Sequence, residues 1–354
     1  MTDQNSQIRI KDIASRANVS IGTVDRVLHN RGEVAEKTRR KVLQIIKELN
    51  YQPNILASTL ASKKTVLFAT LFPQPPSEEG YWNKPLTGVI KRVTELQQYS
   101  VTTQNFTFSQ FDASDFVLQA GKILDVNPDG VILAPFYLRE SRKLVNLLTE
   151  RKIPFIFIDS DIKNAGQLAY VGQDSFRSGI LAGKLLGSIT QWEKPILVIH
   201  FAKEMDNQNH LVQREKGFYE WLRTHQPERI IRTLEISNTD CCEWESQISD
   251  TLEKLGPGGI FVTNSKVFLM ASYLNKHGIS GIRLIGHDLL EENRKYLQTG
   301  LVDFLICQRP EEQGYNAINK LFQHVLLKKV VQTENYTPID IVTKENVDYY
   351  KEFK

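Results

Sequence analysis

Cysteine is nearly absent from this chain, with Cys241, Cys242 and Cys307 the three present in 354 residues. That count excludes a disulfide-stapled fold, and the adjacent Cys241 and Cys242 are poorly placed to bridge each other. No run of about 18 apolar residues occurs, so no membrane-spanning helix is expected. The opening Met1-Thr2-Asp3-Gln4-Asn5 has no charged-then-apolar leader, and the expectation is a cytoplasmic protein. Reactive constellations are missing too: there is no Walker-type phosphate loop, GxGxxG, GxSxG or HExxH. The seven histidines (His29, His200, His210, His225, His277, His287 and His324) are scattered without metal-ligand spacing, so each is expected in a surface or core role. An enzyme is therefore not expected, and no cofactor or metal is assigned.

What is present begins with an uneven distribution of charge. Residues 1–64 hold 12 Lys and Arg against 6 Asp and Glu, a net +6, so the remainder carries −3 of the overall +3. The basic end suits nucleic acid; the acidic remainder does not. At 354 residues, 41% of them hydrophobic, the chain allows two or three domains and a large core.

Within the basic end, Ile13, Ala14 and Ala17 fall at helical spacing, with Asp12 in the first turn where it suits the positive helix end. Asn18-Val19-Ser20 breaks the pattern, and Ser20 is placed to cap a second helix from Ile21 to about His29. A turn of about three residues has the helix-turn-helix length. The second helix buries Val24, Val27 and Leu28 by spacing, which leaves Ile21, Gly22, Asp25 and Arg26 outward. An outer face of small residues with one Arg suits the major groove. A third helix, residues 35–50, repeats Val42, Ile45, Ile46 and Leu49, with Asn50 as a left-handed cap and Pro53 forbidding continuation.

The run Ile10-Lys11-Asp12-Ile13-Ala14, Val19-Ser20, Thr23-Val24, Arg26-Val27-Leu28, Val34, Thr38-Arg39, Val42, Leu49-Asn50-Tyr51-Gln52-Pro53-Asn54, Ala57 and Leu60 closely resembles the headpiece of the lactose-repressor (LacI) family of bacterial transcription regulators. The resemblance implies that Ser20, Ile21, Gly22, Thr23, Asp25, Arg26, His29 and Asn30 face DNA. It also implies a hinge helix over 54–61, with Asn54, Ala57 and the wedging Leu60 in the minor groove, a known device for bending DNA. The chain departs from the family at Asp25, where Ser is usual, and in the loop Asn30-Arg31-Gly32-Glu33.

After residue 65, strand-length apolar runs alternate with helical patterns. Strands are expected at 66–72, 101–107, 130–134, 155–158, 169–171, 196–201, 230–236, 259–263, 283–286 and 304–307, with helices between them. Strands buried on both faces, separated by helices, form parallel sheets, and about ten of them suggest two subdomains. This remainder resembles the periplasmic-binding-protein type I fold that forms the effector domain of lactose-repressor relatives. The carriers are Tyr170-Val171-Gly172-Gln173-Asp174 with Gly179, Arg214 with Gly217-Phe218, Asn264, Gly286-His287-Asp288 and Gln308.

The expected fold class is therefore α/β: a small all-α helix-turn-helix headpiece (8–51), a hinge (52–64) and a two-lobed parallel α/β effector domain (65–354). Lobes are expected at about 65–160 with 291–328, and at 161–290 with 338–354, with crossovers near 159–166, 287–291 and 329–337.

The resemblance places Arg214, Asn264, Asp288 and Gln308 in the cleft, Tyr81 and Trp82 against a sugar's apolar face, and Asp159 within reach. Ligands of parallel α/β sheets bind at the carboxyl ends of strands, and a charged acceptor with a charged fork suits hydroxyls that both donate and accept. The competing expectations are a surface ion pair for Arg214 and a core position for Trp82. The segment 73–80 is longer than a plain turn and is expected at the cleft mouth. The expected function is a ligand-responsive repressor of carbohydrate-utilisation genes, binding a palindromic operator as a homodimer. The alternative is a solute-binding protein of a sugar transport system, which would have no use for the N-terminal module. The C-terminal seven residues, from Asp348 onward, are too short for a tetramerising heptad tail.

Overall fold

The computed structural model describes residues 8–28, 31–49, 51, 65–75, 77, 80–202, 209–237 and 243–351. The chain divides into two compact units, one up to residue 64 and one from Thr65 onward.

The first unit contains α1 (Ile10–Ala17), α2 (Ile21–Leu28) and α3 (Glu36–Glu48). Asp12 accepts from the Arg9 amide (2.8 Å) and so closes the start of α1. Asn18, at φ 53°, takes the left-handed conformation that stops this helix, and Val19 N–H returns to the Ala14 carbonyl. Ser20 Oγ accepts from the Thr23 amide (3.1 Å), starting α2 as its sequence position implied. Ile13, Ala14, Ala17, Val24, Val27, Val42 and Ile45 are buried together between the three helices. The expected Asn50 cap, the hinge 52–64 and the DNA-facing candidates His29, Asn30, Asn54, Ala57 and Leu60 lie outside the described residues.

The second unit is built on two six-stranded sheets. The first has the order β11-β5-β4-β3-β1-β2, and comprises β1 (Val66–Pro73), β2 (Val101–Phe108), β3 (Gly130–Leu133), β4 (Phe155–Ile158), β5 (Ala169–Gly172) and β11 (Glu334–Tyr336). The second has the order β12-β10-β9-β8-β6-β7, from β6 (Ile196–His200), β7 (Ile231–Glu235), β8 (Gly259–Val262), β9 (Arg283–His287), β10 (Phe304–Cys307) and β12 (Asp340–Val342). All pairings are parallel except β10 with β12. The connecting helices are α4 (Asn83–Glu95), α5 (Ala113–Val126), α6 (Leu138–Glu150), α7 (Ser175–Ile189), α8 (Asn209–His225), α9 (Glu243–Leu255), α10 (Val267–Lys276), α11 (Glu291–Thr299) and α12 (Pro310–Val325). Because helices cover both faces, side chains of alternating parity fill two cores per sheet: Leu71 and Phe157 on one face of the first sheet, Phe68 and Ile156 on the other.

The expected lobe boundaries need correction. β5 stays with the first sheet, pairing Ile156 with Ala169, and β10 pairs with β9 in the second. The first crossing is therefore the two-residue step Gln173-Asp174, where Asp174 caps α7 by accepting from the Arg177 amide (2.9 Å). The second lies between β10 and α12, not at 287–291, because β9-α11-β10 is an unbroken parallel crossover unit within one lobe. The third follows β11, at residues 337–339. The strands β11 and β12, three residues each, carried no alternation long enough to read.

Candidate functional site

In the first unit, the outward face of α2 carries Ile21, 56% exposed, with Gly22 and Arg26 also exposed and Thr23 and Asp25 half-buried. Arg26 Nε donates to the Gly22 carbonyl (3.3 Å), which lays the guanidinium along the helix face. The Ser20 and Thr23 hydroxyls sit 2.9 Å apart at the helix start. A guanidinium beside a Gly gap, with an apolar Ile to one side, can address a guanine edge and a thymine methyl.

In the second unit, Tyr81, Trp82, Asp159, Arg214, Asn264, Asp288 and Gln308 line one cavity of about 200 Å³. Topology explains the convergence. Asp159 follows β4, Asn264 lies just after β8, Asp288 follows β9 and Gln308 follows β10, so each stands at the carboxyl end of a strand. Tyr81 and Trp82 lie between β1 and α4, and Ser77 and Gly80 of the long connection also reach the cavity wall.

Both aspartates of the cavity sit in backbone that few residues other than Gly, Asn and Asp adopt. Asp159 and Asp288 both have φ 65°, the left-handed region, which costs an ordinary residue about 1–2 kcal/mol. Each is held there by a fully buried amide. Gln313 Oε1 accepts from the Asp159 amide (3.2 Å) and its Nε2 donates to the Gln308 carbonyl (3.0 Å). Asn293 Nδ2 donates to the carbonyls of Ser265 (2.8 Å), His287 (3.2 Å) and Asp288 (2.9 Å). The turns that present the carboxylates are thus fixed before any ligand arrives.

Side-chain contacts then set the chemistry. Tyr81 donates to Asp159 Oδ1 (2.8 Å). Arg214 is buried, not on a surface; its Nη1 donates to the Thr263 carbonyl (2.8 Å) and its Nη2 to Gln308 Oε1 (3.3 Å). Gln308 Nε2 donates onward to Asp288 Oδ1 (3.1 Å). Asn264 is tied to the Phe201 carbonyl (2.9 Å) and the Lys266 amide (3.2 Å), so it shapes the wall as well as facing the cavity. Trp82 is both core and wall: 8% exposed, it packs edge-on against Tyr81 at 5.1 Å. Burial, and then the nearby Asp159 and Asp288, push the Tyr81 phenol well above its ordinary value.

His210 was assigned no site role by sequence, yet it lines the cavity with Nδ1 3.9 Å from Asp159 Oδ2. Burial holds its pKa down to about 4, helped by Arg214 and His200 and opposed by Asp159. Phe111, Phe136, Phe201 and Phe268 also line the wall, as do the charged Lys266 and Glu292, and all were likewise unassigned. The signal for His210 was available: it stands four residues before Arg214 on α8, hence on the same face. Among the described residues no cluster of three His, Cys, Asp or Glu could hold a metal ion, and no helix is long and apolar enough to cross a membrane.

Comparison with known proteins gives the two units their relatives. Residues 9–54 match the model for bacterial regulatory proteins of the lacI family, and residues 69–329 match the periplasmic binding protein domain. The HTH-type transcriptional regulator MalR of Streptococcus pneumoniae serotype 4 is 26% identical over 155 residues, 44% of this chain and 46% of that protein. The chain thus spans about half the length of the curated relatives it matches. A Bacteroides fragilis protein assigned as a LacI transcriptional regulator has a crystal structure matching at TM-score 0.78 and 33% identity, over 81% of this chain and all of that one. GanP, a glucose-galactose binding protein from Geobacillus stearothermophilus, shares the fold at TM-score 0.69 and 22% identity, over 80% of this chain and 99% of its own. The chain belongs to the lacI family of bacterial regulatory proteins, with a periplasmic binding protein domain following its helix-turn-helix.

Proposed function

We propose that this protein is a ligand-responsive transcription regulator, a repressor of carbohydrate-utilisation genes acting in the cytoplasm. It binds a palindromic operator as a homodimer, and a sugar or sugar derivative that closes the cleft changes its affinity for DNA. The observation that carries this reading is the convergence of Asp159, Arg214, Asn264, Asp288 and Gln308 with the rings of Tyr81 and Trp82 in one cavity. Charged acceptors, a guanidinium and amides suit a ring of hydroxyls, and the aromatic faces suit its C–H side. The fold shared with a glucose-galactose binding protein supports the same ligand class.

Lys84 Nζ donates to the Leu289 carbonyl (2.7 Å) and Asn209 Nδ2 to the Asp161 carbonyl (3.1 Å), so backbone groups of each lobe are held by side chains of the other. Lobe closure therefore has defined contacts for a ligand to favour. The transport reading accounts for the cleft but leaves the helix-turn-helix without work. Fluorescence anisotropy of labelled duplex DNA with the full chain, with and without a panel of sugars, tests the proposal. Binding of DNA that shifts with a sugar is the expected result, and a chain that binds no duplex at low salt would sink it.

A further inference from the structure

We propose that His200 is a positioning residue for effector binding, fixing Arg214 in the cleft wall through Thr263; this rests on the reading of the cleft as the effector site. His200 ends β6 and shares the parity of Ile196 and Val198, so it faces α8, whose Phe218 packs with those two. It is fully buried, and both ring nitrogens meet polar groups. Nδ1 lies 2.7 Å from Thr263 Oγ1, and Nε2 lies 3.3 Å from Glu215 Oε2. A carboxylate opposite Nε2 favours the ring proton there, which leaves Nδ1 to accept from the Thr263 hydroxyl.

From there the path to Arg214 is short. Thr263 stands one residue past β8; its amide reaches the Ile199 carbonyl (3.1 Å), and its own carbonyl accepts from Arg214 Nη1 (2.8 Å). The hydroxyl bond to His200 therefore sets how that carbonyl is aimed. Glu215, next to Arg214 on α8, closes a ring that ties the ends of β6 and β8 to the helix. Its other oxygen accepts from Thr233 of β7, and His200 and then Thr233 hold this carboxyl below its ordinary value. A guanidinium buried as deeply as that of Arg214 depends on partners that are correctly aimed, because bulk water cannot replace one that is not.

Amide side chains separate the two ends of this ring. Asn reaches the place of Nδ1 and can accept from Thr263, whereas Gln reaches the place of Nε2 and can face Glu215. Crystal structures of His200→Asn and His200→Gln in the full chain, without ligand, read the position of Arg214; calorimetry with D-glucose, D-galactose and D-arabinose reads affinity. Both variants are expected to melt lower than the unaltered chain. In His200→Asn the guanidinium should stay within about 0.5 Å of its place, and in His200→Gln it should move further or lose order. A sugar that binds the unaltered chain should bind His200→Gln about tenfold more weakly and His200→Asn nearly as well. Thr263→Val, which deletes the hydroxyl and keeps the carbonyl, should reproduce His200→Gln. Arg214 placed alike in both His200 variants, a sugar bound alike by both, or an unperturbed Thr263→Val overturns the inference and leaves the effector reading standing. If none of the three sugars binds the unaltered chain, the sugar reading is what fails, and the crystal structures still decide the role of His200.

Discussion

Among the described residues Arg214 is the largest side chain that the fold buries almost completely. A lone guanidinium in the interior costs several kcal/mol unless hydrogen bonds offset it, and Arg214 donates to a carbonyl and to a side-chain amide. Its place in the cavity wall makes ligand binding the expected role. Arg214→Met keeps the length and the apolar stem, so the ligand-free melting temperature is expected to move by only a few degrees, while effector affinity falls by about 2–3 kcal/mol. A variant melting far lower, with unchanged affinity, would make Arg214 a structural residue.

His210 and His287 make a second residue-scale prediction. Both are held below the ordinary histidine value, chiefly by burial, His210 at about 4 and His287 well down. The unfolded chain therefore binds these protons first as pH falls, and stability present above about pH 6.5 is lost progressively toward pH 4. His210→Asn should flatten part of that slope in melts taken between pH 7 and 4.5, and an unchanged slope would show that His210 is not held neutral. Arg214 was legible because it sits in the pattern with Gly217 and Phe218. His210 carried only its place four residues before Arg214, too little to assign it a role, because its carboxylate neighbour Asp159 lies 51 residues earlier in the chain.

Helix pairs of the two lobes repeat one device. α7 approaches α8 so closely that a Cβ on Gly179 would lie 1.9 Å from the Arg214 carbonyl oxygen, and one on Gly217 would lie 2.0 Å from that of Phe176. In the first lobe, α4 and α12 do the same: Gly88 would meet the Glu311 carbonyl at 1.8 Å and Gly314 that of Pro85 at 1.9 Å. Backbone cannot yield as a flexible side chain does, so Gly179→Ala and Gly88→Ala are each expected to cost about 3 kcal/mol or more in urea denaturation. Gly179→Ala should also weaken effector binding, since it displaces the backbone of Arg214; Gly88→Ala, remote from that residue in sequence, is the control. Equal loss of affinity in both would mean that the effect is general loosening.

At this scale the sequence carried most of the elements and less of their arrangement. Apolar runs such as Phe155–Ile158, short and rich in Phe and Ile, read correctly as strands, but a run is silent about which sheet it joins. The Ala169–Gly172 strand was expected to open the second lobe, yet its hydrogen bonds go to β4. Glu334–Tyr336 is a polar edge strand whose one sheet neighbour among the described residues is β5, a relation fixed by tertiary contact and invisible to periodicity.

Across the whole molecule, charge and function divide together: +6 up to residue 64 and −3 beyond it. DNA binding by the chain should accordingly weaken steeply with salt, each neutralised phosphate contributing about 0.9 to the logarithmic slope. Arg26→Ala should cost about 1–3 kcal/mol against the preferred sequence and little against random duplex; equal losses would make Arg26 a phosphate contact instead. Under the proposed function the two units are linked thermodynamically. Whatever factor an effector imposes on DNA affinity, DNA must impose on effector affinity.

Asp288→Asn isolates the effector side of that cycle. Asn tolerates the left-handed backbone found at Asp288 and preserves the side-chain shape, so the turn pinned by Asn293 should survive. The charged acceptor is lost, and effector binding should weaken by about 1–3 kcal/mol. Without effector, affinity for DNA should match the unaltered chain, and the expected behaviour is regulation frozen in its ligand-free state at effector concentrations that switch the unaltered protein. Titrating effector against a preformed protein–DNA complex measures both arms at once. A variant that lost DNA affinity while taking up effector normally would place Asp288 in the fold or the dimer and not in the sensing site.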